Sequence, residues 1–442
     1  MPHIMERLKQ LRMNTVDGLR IRFRPGDTEL VEAFEYGYHF GSLLQDKKAE
    51  KTTKGSRKLV KCLVCGEIFD SSLEVCPVCG VGRENFVPVE EKETTYRKDG
   101  DEFYVILGNG TAGLNAAKAV RERDKTSSIL MISEEKYPTY NRPMLTKALN
   151  AGLEISQIQV EPESWYEENQ VYQILGKKII SVDKTEKEVT LEDGMRLKYT
   201  KLIYALGAKS FVPPIPGSEK EQVAVIRTLE DAEKIGQMIP KNGQTVVIGG
   251  GVLGLEAAWE LKKAGCQVTV LEAAPVLMGR QLDEGAAAML GSIAERVGIK
   301  VRTGGQERVT AVRLADGEEI AANLVLISCG VRANTELAEQ MGLKVNRAVA
   351  VNEKMQTSEK DIYACGDCVE FEGENAALWA EASEQGKVAG ASAAGECVEY
   401  QKVQMPLSFN GMNTSLYAIG DNGRNKNLLY KTLEICDRSK KQ

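Results

Sequence analysis

The chain has 442 residues, enough for about three ordinary domains, and its 57 Lys plus Arg against 63 Asp plus Glu leave a formal charge of −6. With no long block of either sign, that balance excludes a basic footprint for nucleic acid or for an anionic membrane surface. No apolar stretch approaches the ~20 residues of a membrane helix, and charges scattered through residues 1–24 leave no signal-peptide core, so the expectation is a cytoplasmic protein without nucleic-acid or membrane partners.

Residues 1–58 read as a charged leader with a helix around 28–44 and a Lys-rich end, and nothing in them carries chemistry. Residues 59–90 hold two C-x-x-C pairs, Cys62-Leu63-Val64-Cys65 and Cys76-Pro77-Val78-Cys79. Each pair lets two thiolates face one ion, and four thiolates set a tetrahedral site for iron or zinc. In a chain with no export signal, such cysteines are metal ligands rather than halves of disulfides. Residues 91–101 form a charged linker.

From Glu102 the text changes to β-branched runs followed by glycines and Ala-rich helical patterns, which predicts strands alternating with helices around a parallel sheet. The pattern occurs twice. Gly108-Asn109-Gly110-Thr111-Ala112-Gly113 and Gly249-Gly250-Gly251-Val252-Leu253-Gly254 each follow an apolar run and open a helical one. In such a fingerprint the first glycine allows a tight turn, the second lets a pyrophosphate approach the backbone, and the third lets helix and strand pack closely. Each copy is followed by a second strand ending in an acid, Glu134 and Glu272, placed to bind ribose hydroxyls. Glu272 would repel a 2′-phosphate, and Ala273-Ala274-Pro275 offers no arginine to receive one, so the second site favours NADH over NADPH.

Together these stretches resemble the pyridine nucleotide-disulfide oxidoreductase superfamily over residues 103–390. Three further segments carry the likeness: Leu202-Ile203-Tyr204-Ala205-Leu206-Gly207-Ala208, Ser328-Cys329-Gly330-Val331-Arg332-Ala333-Asn334, and Ile362-Tyr363-Ala364-Cys365-Gly366-Asp367. The resemblance implies FAD at the first site, with Asp367 on its ribityl chain, and NADH at the second. It implies an α/β fold of two Rossmann-like domains, FAD over 102–212 and 331–399 and NAD over 213–330. A short α+β interface domain over 400–442 would follow, and possible homodimers with it. Tyr140-Asn141-Arg142-Pro143-Met144-Leu145-Thr146-Lys147 is similar to the rubredoxin, ferredoxin and nitrite reductase flavoproteins, which implies Arg142 and Lys147 against the flavin. Disulfide reductases carry a redox-active cysteine pair in this region. Here no cysteine lies between Cys79 and Cys266, so reduced flavin would have to pass its electrons directly onward.

The segments around the four cysteines look like the two halves of a short rubredoxin, close to the rubredoxin-like domain of rubrerythrins, which favours iron over zinc at Cys62, Cys65, Cys76 and Cys79. The expected activity is electron transfer from NADH through FAD to this centre and on to a protein acceptor of rubredoxin, rubrerythrin or flavodiiron type. The alternatives are an NADH oxidase with a structural zinc ribbon and a metal-ribbon docking or adaptor protein. Cys365 and Cys368 form a third C-x-x-C within the FAD motif and read as small buried residues, and Trp379 sits in a stretch that in related flavoproteins passes the flavin ring.

Overall fold

A computed structural model describes residues 59–63, 68–74, 82–89, 101–152, 154–304, 322–402 and 407–423. All of them fall in one compact unit, Lys58–Gln442. The leader with its helix, most of the charged linker, and Cys65, Cys76 and Cys79 lie outside the described residues, as does the chain beyond 423.

Two five-stranded parallel sheets dominate. In the first, the strands run in the order Ile362–Ala364, Lys201–Tyr204, Phe103–Leu107, Ser128–Ser133, Val171–Leu175. In the second the order is Val223–Val225, Leu324–Ile327, Gln244–Ile248, Gln267–Glu272, Lys300–Thr303. The sheets share one plan. Each fingerprint follows the central strand, and the strand ending near an acid lies beside it, so the duplicated α/β fold expected from the glycine text is present. The central strand Phe103–Leu107 reads as a continuous apolar run because both faces of its sheet are covered: Tyr104 and Ile106 pack with Leu114 and Ala117 of the helix Thr111–Arg123, Val105 and Leu107 pack with Val182, Val189 and Leu191 of a three-stranded antiparallel sheet (Ile179–Asp183, Glu188–Leu191, Arg196–Lys198), and all four are fully buried.

The second sheet is an insertion into the first unit. The chain leaves through Ala208–Ser210 and returns through Val331–Ala333, and these two short strands pair antiparallel, so exit and re-entry lie side by side. Helix α1 (Thr111–Arg123) opens from the first fingerprint, α2 (Leu145–Ala151) follows the Arg142 segment, α3 (Val252–Lys263) opens from the second fingerprint, and α4 (Trp379–Ala393) follows the late FAD motif. Helices α1 and α4 touch backbone to backbone: a side chain at Gly386 or Gly390 would sit 2.3 Å or 2.2 Å from the carbonyl oxygens of Ala112 and Ala116.

Upstream, Leu59–Cys62, Ile68–Asp70 and Phe86–Val89 form a small antiparallel ribbon with Leu59–Cys62 in the middle. Downstream, the described part of the expected interface domain is a hairpin, Leu407–Gly411 with Thr414–Ala418. Its buried Phe409 and Met412 belong to a hydrophobic core that joins Leu255 and Leu261 of α3 to Tyr140 and to Leu145 and Leu149 of α2. Among the described residues no helix is long and apolar enough to cross a membrane.

Candidate cofactor site

Each fingerprint divides its three roles among its glycines. Gly108 holds φ 104° at the end of its strand, and a Cβ there would lie 2.2 Å from the Ala205 carbonyl oxygen. Gly113 packs α1 against that turn, a Cβ reaching 2.2 Å from the Gly108 oxygen. Gly110, between them, faces open space, with nothing within 4 Å of an added Cβ. The second copy repeats this at Gly249 (φ 120°, 2.1 Å from the Ser328 oxygen), Gly254 (2.1 Å from the Gly249 oxygen) and Gly251 (nothing within 4 Å).

The helices behind the open glycines complete the cradles. Neither α1 nor α3 has a side-chain cap at its N-terminus, and neither carries an acid in its first turn. Uncapped N–H groups at the positive end of the helix dipole, above a position only glycine leaves open, make a phosphate site. By this test two dinucleotide pyrophosphates fit, one at each cradle.

Glu272 ends its strand under the second cradle, accepting 2.7 Å hydrogen bonds from the N–H groups of Gly250 and Ala274. At the first cradle the two adjacent acids diverge. Glu134 is exposed just past Ser128–Ser133, whereas Glu135 turns inward to meet Arg142.

Arg142 is the hub of a network. Its Nη2 lies 2.7 Å from Glu135 Oε1, while Nη1 donates to the Tyr140 hydroxyl at 2.9 Å and to the Arg227 carbonyl. Tyr140 in turn donates to Glu135 and accepts from the Leu229 N–H at 3.2 Å. Burial, reinforced by the Glu135 carboxylate, pushes the Tyr140 phenol up, so it stays neutral. Burial alone would lower the Arg142 guanidinium, but Glu135 and Tyr140 outweigh it and raise it. Arg227 Nη2 is 2.8 Å from Asp367 Oδ2 and lies over Gly207, 3.6 Å from where its Cβ would be. The network thus ties the Arg142 segment, the start of the insertion and the late FAD motif together.

Lys147 is exposed on α2. Its neighbour Thr146 donates at 2.8 Å to Glu256 on α3, joining the two units at this point. Burial raises the Glu256 carboxyl, with Thr146 and Lys147 opposing the shift and Glu260 adding to it. Gly330, just before the strand Val331–Ala333, holds φ 97°, and Gly366, at φ 84°, donates its N–H to Gln385 on α4 at 2.9 Å. Trp379, at the start of α4, is half-buried. Cys365 and Cys368 are fully buried, and burial pushes both thiols up, Cys368 to about 12, so neither offers a thiolate for redox exchange.

Of the four ribbon cysteines, only Cys62 belongs to the described residues. It is fully buried at the end of its strand, where the Leu63 N–H donates to the Asn85 carbonyl at 2.8 Å and closes the ribbon. Glu135, Tyr140, Thr146, Arg227 and Glu256 are site residues that sequence reasoning did not single out. Of these, Tyr140 and Thr146 lie within the Tyr140–Lys147 motif.

The family described as pyridine nucleotide-disulphide oxidoreductase matches residues 103–386, and the chain belongs to it. It is 34% identical over 306 residues to the assimilatory nitrate reductase electron transfer subunit of Bacillus subtilis, covering 67% of this chain and 40% of that protein. It is 33% identical to the NADH-rubredoxin oxidoreductase of Clostridium acetobutylicum, covering 73% and 82% of the two chains. The solved structure of NADH:rubredoxin oxidoreductase from Clostridium acetobutylicum superposes with a TM-score of 0.66 at 31% identity, covering 76% of this chain and 86% of that one. The chain spans about two-fifths of the length of the Bacillus relative.

Proposed function

We propose that this protein is an NADH-dependent FAD flavoprotein that delivers electrons to an iron ion held by Cys62, Cys65, Cys76 and Cys79, and from there to a protein acceptor of rubredoxin, rubrerythrin or flavodiiron type. The observation that carries the reading is the pair of cradles, Gly110 over α1 and Gly251 over α3, each open above an uncapped helix N-terminus. Helix α1 would hold the FAD pyrophosphate, with Glu134 on its ribose, Asp367 on its ribityl chain, and Gly207 and Gly366 among the residues that bind this cofactor. Helix α3 would hold the NADH pyrophosphate, with Glu272 on the ribose, and Gly330 would belong to the same cofactor-binding set.

Flavin supplies the conversion of hydride transfer into single-electron transfer. Arg142 and Lys147 offer cations where the reduced ring would carry negative charge, and the Arg142 hub fixes one of them through Glu135 and Tyr140. Asp367 is held by Arg227, which fixes the orientation of its carboxylate. Cys62, Cys65, Cys76 and Cys79 would hold the ion as thiolates, and an iron centre there would take the two electrons of each NADH one at a time, the proton leaving to solvent.

The test is Cys76→Ala in the FAD-loaded protein, with metal content and visible spectrum recorded first. Expected are NADH-dependent flavin bleaching at the parent rate and loss of electron delivery to protein acceptors. Loss of both in a folded variant contradicts the relay. Zinc in place of iron, with oxygen consumption unaffected by metal removal, favours direct oxygen reduction at the flavin instead.

A further inference from the structure

The ribbon is attached to the body of the protein at two described points, and both flank the same cysteine. Lys61, one residue before Cys62, places Nζ 2.9 Å from Glu384 Oε2 on α4. Asn85, whose chain neighbour Phe86 is the cross-strand partner of Cys62, accepts a 2.9 Å hydrogen bond from the Tyr417 hydroxyl of the C-terminal hairpin. The ion pair is shielded: the Lys61 and Glu384 side chains are 16% and 23% exposed, and the second Glu384 oxygen is taken by Lys387 at 2.9 Å. Partly buried pairs of this kind are screened far less by salt than surface pairs.

The docking residue on α4 lies beside the FAD motif. Gln385, next after Glu384, accepts from the Gly366 N–H, and Gly386, next again, rests on the Ala112 carbonyl inside the first fingerprint. Three consecutive residues of one helical turn therefore touch the ribbon, the late FAD motif and the first cradle.

We propose that Lys61 and Glu384 are positioning residues that hold the Cys62 corner of the ribbon at the FAD end of α4, so that electrons pass from flavin to metal within one chain. This rests on the relay reading above. Glu384 touches neither cofactor, and it acts by fixing where the ribbon sits.

The experiment uses the full-length protein loaded with FAD and iron. A zero-length carbodiimide coupling of amines to carboxylates, analysed by mass spectrometry, should join Lys61 to Glu384 within a single chain, as it should join the control pair Lys201 and Asp361. Glu384→Lys places a third cation beside Lys61 and Lys387. It should slow iron reduction after anaerobic mixing with NADH about tenfold or more, while flavin bleaching keeps its rate. The charge swap Lys61→Glu with Glu384→Lys should restore the iron rate, which a general folding defect would not allow. Absence of the Lys61–Glu384 product while the control pair couples overturns the docking, whatever the fate of the relay. Iron reduction at the parent rate in Glu384→Lys overturns the positioning role. A parent protein that forms the cross-link but never reduces its iron with NADH fails the relay reading itself, and the positioning role falls with it.

Discussion

Gly110 and Gly113 stand three residues apart in one fingerprint, yet alanine at each should fail in a different way. A methyl at Gly113 would lie 2.2 Å from the Gly108 oxygen, more than an ångström inside a normal contact of ~3.5 Å. Helix α1 would have to lift off its strand, an overpacking cost of about 1–3 kcal/mol, and the apoprotein should melt several degrees lower. A methyl at Gly110 meets no protein atom within 4 Å, so apoprotein stability should change by less than about 1 kcal/mol, the scale of an N-cap exchange. Its cost should appear in FAD binding. Each lost hydrogen bond between the helix N–H groups and a charged phosphate is worth about 1.5–3 kcal/mol, so affinity should fall about 10- to 100-fold. Thermal melts of the two apoproteins and FAD titrations followed by flavin fluorescence make the comparison. Parent-like FAD affinity in Gly110→Ala, or equal destabilisation of both apoproteins, would refute the assignment of the open glycine to the pyrophosphate.

The same logic applies to the second cradle: Gly251→Ala should weaken NADH binding in stopped-flow flavin reduction while leaving FAD content unchanged. Arg142→Ala strips the partly buried Glu135 of its guanidinium and should cost about 2 kcal/mol of stability, read by denaturant unfolding. Glu256 has its carboxyl raised by burial, so its contribution is fully present below the unfolded-state value near 4.5 and lost as pH rises through the higher folded value. Glu256→Gln should therefore gain stability relative to the parent at neutral pH and flatten the fall between, as unfolding midpoints across pH would show. Phe409, fully buried where the hairpin meets the core around α3, should cost about 3–5 kcal/mol on replacement by alanine, seen as a lowered unfolding midpoint.

Much of the fold is written locally. A strand buried on both faces is an unbroken apolar run, and a fingerprint turn needs glycine for backbone reasons that hold wherever it occurs, so Tyr104–Leu107 and Gly108–Gly113 are readable without tertiary context. The partners of the site are not. Arg142 meets Arg227 across 85 residues, Thr146 meets Glu256 across 110, and Arg227 meets Asp367 across 140; no local pattern announces such meetings. Glu134 and Glu135 show the limit most sharply, since counting from the glycines selects the first, while the turn after the strand sends the second toward Arg142. The hairpin is a similar case: Phe409 looks like any strand residue until its neighbours are known.

The nesting of one sheet inside the other sets an order of completion during synthesis. Every strand of the NAD-type sheet lies between Val223 and Ile327, whereas the FAD-type sheet must wait for Ile362–Ala364, roughly 160 residues after the strand Lys201–Tyr204 that it pairs with. At about 5–20 residues per second, Lys201–Tyr204 has one open edge for about 8–30 s as the chain emerges. Of the two five-stranded sheets, the one begun first is thus the one closed last, and the strands of the inserted sheet can pair while its host still lacks an edge strand.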